Sequence, residues 1–349
     1  MDFSEKRARS SFLSNRADFY EDMAAALDDK SDPVTELTNL RERAEKRKKT
    51  GQVKLYSRWV KGMDRGLMYN ALKDDAPKTD LMIMSAFEQA GRLSEGLRFL
   101  SKVVTLAGNM RSAIQGAVIT PIIVLIIISA ILALHAFMLI PVLEQIIKPE
   151  DWPLPGKMLR PTALFIKEYG IYIAPMIVAA LIGFKVSVTK WTGPRRVKFD
   201  NHLPYSIFRD YNGALFLTSL AALMKAGNGV LESLKQLESM STPWMKWHIQ
   251  QMIVRLDSNS AQPAIALDTG AIPRAVMDRI IDYGKRSSFV EAMNVIGLQS
   301  MARTEAKISQ SAKVMNIIMM LFAGLLFVIV ILGTVSTGLH AQDVIRASM

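Results

Sequence analysis

The residues able to do chemistry in this chain are few, and they cluster at turns. Glu88, Gly91 and Arg92 stand together in Phe87-Glu88-Gln89-Ala90-Gly91-Arg92-Leu93. An acid, a glycine and a base at this spacing suit a helix junction. Gly91 can take a backbone conformation that other residues resist, and Glu88 can accept a hydrogen bond or pair with a nearby base. Two readings stand: a junction that fixes helix packing, and a direct contact with a partner protein. Gly227, in Ala226-Gly227-Asn228-Gly229, can end a helix in the same way. Lys285 and Arg286 are adjacent cations. They can pair with acids of a partner, with lipid headgroups, or with water alone. His135 lies in a long apolar run, where a polar group is costly and usually faces protein. With no carboxylate in those runs to continue a relay, it reads as a helix–helix contact.

Much chemistry is excluded. There is no cysteine, and the four histidines (His135, His202, His248 and His340) have no ligand spacing, so neither a metal site nor a cofactor is expected. There is no glycine-rich phosphate loop and no His-Glu-x-x-His, and nothing points to a serine triad. The chain is expected not to be an enzyme. Its net charge of +11 is spread along the sequence with few aromatics interleaved, which disfavours nucleic acid as a partner.

The elements that must hold these residues follow from apolar patterning. No Asp, Glu, Lys or Arg falls between Arg111 and Glu144, nor between Lys313 and Asp343. A helix needs about 20 apolar residues to span a bilayer, and 117–142 and 314–339 both exceed that. A third stretch, 170–189, is interrupted by Lys185, which can snorkel to headgroups, and Trp191 sits where interfacial aromatics belong. The polar residues 1–15 have no apolar core and do not read as a secretory signal peptide. Residues 1–116 carry 21 Lys and Arg against 17 Asp and Glu, and residues 190–313 carry 16 against 10. By the positive-inside rule both are cytoplasmic, which makes 143–169 a short periplasmic loop between two transmembrane helices. The third helix then leaves the tail 340–349 in the periplasm.

The two cytoplasmic segments resemble each other. Adding 197 carries Phe19–Leu27 onto Phe216–Met224, Leu37 onto Leu234, Leu40 onto Leu237, and Ala117 onto Val314. A constant offset from helix to apolar run points to duplication; generic amphipathic similarity is the alternative. The apolar stripe of 215–224, the turn at Gly227, the helix after it and a further helix opened by Pro273 describe the second copy. In the first copy the turn is built from Asp28-Asp29-Lys30-Ser31-Asp32-Pro33. The charged run 41–49 reads as a solvated helix face or loop, with a phosphate or lipid contact as the sharper option. No alternating β pattern stands out. The fold class is all-α: an integral membrane protein with three transmembrane helices and two repeated cytoplasmic helical-bundle domains.

These residues resemble the type II secretion F domain family of inner-membrane platform proteins. The family turn Gly-Glu-x-x-Gly-Arg-Leu matches Phe87–Leu93 except at its first residue. The basic residue and proline that follow it match Arg111 and Pro121, where the proline would kink or start the membrane helix. The repeat-opening pattern Phe-x-x-x-Leu-x-x-Leu-x-x-Ala-Gly matches Phe216 to Gly227. Departures are clear. In the second copy the acid and second glycine of the turn become Lys285 and Ser288, the last membrane helix lacks its proline, and Asp28-Asp29 replaces the first Ala-Gly. The short N-terminus resembles the type IVb and conjugative thin-pilus branch.

The resemblance implies a scaffold that couples a hexameric pilus or secretion ATPase to insertion of pilin subunits. Other inner-membrane assembly proteins, membrane lipid and further copies of itself would be partners. Glu88, Gly91, Arg92, Gly227, Lys285 and Arg286 are then candidate structural or motor-coupling residues, and Pro121 and His135 are features of the membrane helices. The rival readings are a small transporter or channel component, for which one intramembrane histidine and no buried acid make a poor pathway, and a membrane receptor.

Overall fold

In the computed structural model, residues 2–63, 66–202, 205–258, 262–284 and 289–348 are described, and among them there are helices and turns but no strand. In chain order the helices are α1 (Phe3–Ser14), α2 (Arg16–Asp28), α3 (Pro33–Lys46), α4 (Thr50–Met63), α5 (Met68–Leu72), α6 (Lys78–Gln89), α7 (Leu93–Leu134), α8 (Ile140–Ile146), α9 (Leu154–Lys190), α10 (Pro194–Phe199), α11 (Tyr205–Lys225), α12 (Val230–Met240), α13 (Pro243–Ser258), α14 (Pro263–Ala266), α15 (Arg274–Gly284) and α16 (Phe289–Ser348). Contacts divide the chain into two compact units, Met1–Met110 with Val188–Ala306, and Arg111–Ser187 with Lys307–Met349.

The first unit is built from short helices that packing must hold, because isolated helices under about 12–15 residues are marginal in water. Their starts are chemically marked. Asp32 accepts from the Val34 and Thr35 amides at 3.1 and 3.3 Å, with Pro33 in the first helical position. On α4, Leu55, Trp59 and Met63 recur every four residues and are all buried. Phe12 meets Trp59 edge-on at 4.8 Å, and Phe19 and Tyr20 complete the aromatic cluster. The Trp59 indole donates to Asp75 Oδ2 at 2.8 Å, and Arg58 bonds both oxygens of that buried carboxylate at 2.9 and 3.0 Å. An acid taken out of water thus keeps its partners.

In the later part of this unit, α11 is the central element. Leu217, Leu220, Ala221, Ala222 and Leu223 have no exposure at all, and Leu234, Trp244, Ile249 and Met252 pack as completely on neighbouring helices. Each such large side chain contributes about 1.5–3 kcal/mol, so burial rather than helix propensity decides this architecture.

The second unit holds the most apolar stretches, although the last of them begins before Lys307. Ile122–Ile146 and Phe289–Ala347 bound two helices long and apolar enough to cross a membrane. Large apolar side chains face outward along them: Ile126, Met320 and Leu321 are 62%, 74% and 70% exposed. Water would not tolerate such a continuous surface, whereas hydrocarbon would. Inside the unit, Ala136, Ile140, Leu143, Ile147, Trp152, Ala163 and Ala341 form one buried cluster. Glycine allows the closest approaches here. A Cβ on Gly156 would overlap the Thr337 hydroxyl, and one on Gly333 would press on Leu159.

The helices run on past the apolar boundaries read from sequence. There is no break at 116, because nothing between Leu93 and Leu134 stops a helix; Pro121 lies inside α7 and does not start it. Likewise α9 begins at Leu154 and runs through Pro161 and Pro175, so much of 143–169 is helical, and Arg160 Nε meets Glu144 Oε1 at 2.6 Å across the connection.

Candidate functional site

Two turns of the first unit, α6–α7 and α11–α12, share one geometry. At the first, Gly91 has φ +68°, its amide donates to the Glu88 carbonyl at 3.0 Å, and the Arg92 amide donates to that of Phe87 at 2.8 Å. At the second, Gly227 has φ +104°, its amide donates to the Met224 carbonyl at 3.0 Å, and the Asn228 amide donates to that of Leu223 at 3.1 Å. Both are Schellman caps, which need a residue in the left-handed region. A Cβ at either glycine would meet nothing, so the glycine serves backbone conformation and not space.

The turns are tied together by charge. Arg92 donates through Nε to Glu95 Oε2 at 2.7 Å and through a terminal nitrogen to the Lys225 carbonyl at 2.8 Å. Lys225 Nζ reaches the other oxygen of Glu95 at 2.6 Å. The free carbonyls at the end of α11 attract a cation, and Arg92 supplies it. Partial burial raises the Glu95 carboxyl, but the bonds from Lys225 and Arg92 outweigh this and hold it below the usual carboxylate range.

Glu88 points elsewhere. Its carboxylate accepts from the Met68 amide at 2.6 Å and the Tyr69 amide at 3.1 Å, capping the start of α5. It is half-buried, and desolvation pushes its carboxyl up despite those two bonds. Between α6 and α12 lies a groove of ≈ 390 Å³ walled by Leu81, Met82, Ser85 and Gln89 on one side and Glu232, Gln236 and Met240 on the other.

In the second unit, His135 Nδ1 lies 2.8 Å from the Ile131 carbonyl and Nε2 lies 3.1 Å from Thr334 Oγ1. A carbonyl only accepts, so Nδ1 carries the proton and the threonine hydroxyl donates to Nε2. The helix widens into a π turn at His135–Leu139, closed by the Ile140 amide on the His135 carbonyl. Pro141 follows directly and has no amide of its own to give. Lys285 and Arg286 lie outside the described residues. Among the described residues no three His, Asp or Glu converge as a metal site would.

A family model described as "Type II secretion system (T2SS), protein F" matches residues 216–337. A relative named "Toxin coregulated pilus biosynthesis protein E", from Vibrio cholerae serotype O1, is 24% identical over 250 residues, covering 71% of this chain and 73% of that protein. Residues 216–337 of this chain thus resemble the type II secretion system protein F family.

The matched stretch opens at Phe216 within α11, takes in the Gly227 cap, and ends at Thr337 within α16. The structure brings Gly91, Arg92 and Gly227 to one place and sets Glu88 at another. Glu95 and Lys225, which complete the site, carried no sequence signal beyond being one acid and one base among many.

A second polar cluster was equally silent. Arg196 and Asp200 are wholly buried and paired at 2.5 Å, with Arg196 over the Tyr205 ring at 4.1 Å and the Trp244 indole donating to Asp200 at 3.1 Å. Burial pushes the Asp200 carboxyl up to about 6 and the nearby His248 imidazole down to about 4. In the sequence only Trp191 and Tyr205 stand near Arg195 and Arg196, and Trp244 is brought to them by the fold.

Proposed function

We propose that this chain is a non-enzymatic inner-membrane platform of a type IV pilus or type II secretion assembly machine. It crosses the membrane three times, at 117–142, 170–189 and 314–339, with both basic lobes cytoplasmic and the tail 340–349 periplasmic. The lobes receive a hexameric assembly ATPase, and the membrane helices receive pilin subunits. The work comes from the ATPase, and Arg92, Glu95 and Lys225 keep the two copies of the helical lobe in register while it is applied.

The observation that carries this reading is the extent of the family match. It runs unbroken from the core helix α11 into the apolar part of α16, so the matched module is a helical lobe together with its membrane helix. Duplication of that module is supported by helix boundaries at the offset of 197. Asp28 and Lys225 end α2 and α11, Pro33 and Val230 open α3 and α12, and Lys30 (φ 62°) holds the cap position that Gly227 holds in the second copy. The relative's name, which assigns it to pilus biosynthesis, supports a filament as the product. The length of α9 supports a third crossing.

Two measurements test the proposal. Reporter fusions after residues 110, 155, 230 and 349 should report cytoplasm, periplasm, cytoplasm and periplasm. Affinity purification of the full chain should recover a hexameric ATPase and a pilin encoded alongside it. A periplasmic signal at 230 would overturn the topology and the ATPase docking with it. Solute flux through liposomes holding this chain alone would instead support the transporter reading.

A further inference from the structure

We propose that a groove between α1 and the α3–α4 turn binds a phosphate-bearing ligand. The groove has a volume of ≈ 490 Å³, within the usual range of small-molecule sites. Arg7 lines it from α1, Lys48 and Lys49 from the turn, and Thr50 from the start of α4. Among the described residues no carboxylate lines it. Of the acids near it in sequence, Asp2 pairs with Lys54 at 3.3 Å and Glu5 with Arg58, and Glu45, which precedes the turn, is not among the lining residues. Three cations therefore face one concave space, which favours a multiply charged anion over chloride or water.

The groove is also preformed. A Cβ on Gly51 would overlap the Ser4 carbonyl, so α1 and α4 cross at the closest distance a glycine allows, and their walls cannot drift apart without losing that contact. At the rim, Phe3 is 80% exposed. An aromatic ring beside a cationic pocket suits a ligand that carries an apolar or planar group next to its phosphate. A nucleotide base and the glycerol backbone of an anionic phospholipid both meet that description. The inference is independent of the platform reading, since it uses only the fold of the first unit.

The test is amine footprinting of the full chain in nanodiscs, read by mass spectrometry at Lys48 and Lys49, with the exposed Lys30 and Lys73 as internal controls. One arm uses phosphatidylcholine discs with added inorganic phosphate and then ATP; the other replaces part of the lipid with phosphatidylglycerol. Labelling of Lys48 and Lys49 should slow about threefold at a ligand concentration of about twice Kd, with the controls unchanged. Protection by phosphate or ATP assigns a soluble source, and protection only by phosphatidylglycerol assigns a headgroup. Arg7→Glu, an exposed position, should abolish the protection without changing the helical circular dichroism. Absence of selective protection in both arms, equal slowing at Lys30 and Lys73, or full protection in the Arg7→Glu chain would each overturn the proposal.

Discussion

Replacing Glu88 by alanine should loosen the start of α5 and little else. The carboxylate holds the amides of Met68 and Tyr69 at 2.6 and 3.1 Å. A hydrogen bond to a charged group contributes roughly 1.5–3 kcal/mol. Two such bonds would suggest several kcal/mol, but the carboxyl is pushed up by burial, so part of that gain is already spent on desolvation. The expected loss is therefore about 1–2 kcal/mol, at the lower end. Glu88→Gln keeps an acceptor and sheds the charge, and should lose under about 1 kcal/mol. Glu88→Lys sets a cation against two donors and should lose more than alanine does. The direct assay is hydrogen exchange at the two amides themselves: about tenfold faster at Met68 and Tyr69 in the alanine chain, with α11 unchanged. Unchanged protection at those amides would refute the capping argument. A chain that keeps its fold but loses filaments as Glu88→Gln would point to a partner contact at this carboxylate.

Other expectations are more compact. Arg92→Ala or Lys225→Ala alone should lower stability by at most about 1 kcal/mol, because the pair is partly solvated and each leaves the other on Glu95, whereas the double variant should lose more than the sum; thermal melts of all three chains decide this. Gly227→Ala should cost about 1 kcal/mol through backbone conformation alone, since its Cβ would meet nothing, and Gly227→Asn should recover part of it. His248 sits near 4, below its ordinary 6.5, so its contribution is complete above pH 6.5 and is lost as the pH falls toward 4. Asp200 sits near 6, above its ordinary 3.8, so its penalty is absent below 3.8 and grows as the pH rises to 6. The slopes oppose, and the parent chain should melt at a nearly constant temperature across that window. Asp200→Asn should unmask a loss of about 3 kcal/mol from pH 6.5 to 4, and His248→Asn a trend of the opposite sign, both followed by tryptophan fluorescence. His135→Leu should insert normally yet resist detergent less well, because Thr334 loses its acceptor.

The apolar runs and the helical class were plain in the sequence because hydrocarbon and burial impose long-range patterns on composition. The caps at Gly91 and Gly227 were legible for a local reason: a positive φ leaves glycine as the residue of choice. Lys30 defeated that logic, since it adopts φ 62° where a glycine would be looked for, and the matching helix end was read one residue early. The continuity of α7 through 116 was not legible either, since a change of solvent leaves the backbone hydrogen bonds untouched. Glu88 shows the remaining gap. Its type suited a junction, but its two acceptor bonds reach back 19 and 20 residues to Tyr69 and Met68, a contact only the packing of α5 on α6 creates.

Glu95 answers to two cations, one three residues away on its own turn and one from the distant half of the chain. Such a fastening is fault-tolerant: either basic residue can be lost to a single base change without releasing the two halves. It also has a memory of salt, gripping in dilute buffer and slackening in concentrated brine. A junction joined by this kind of catch can open and reseat many times without any covalent wear.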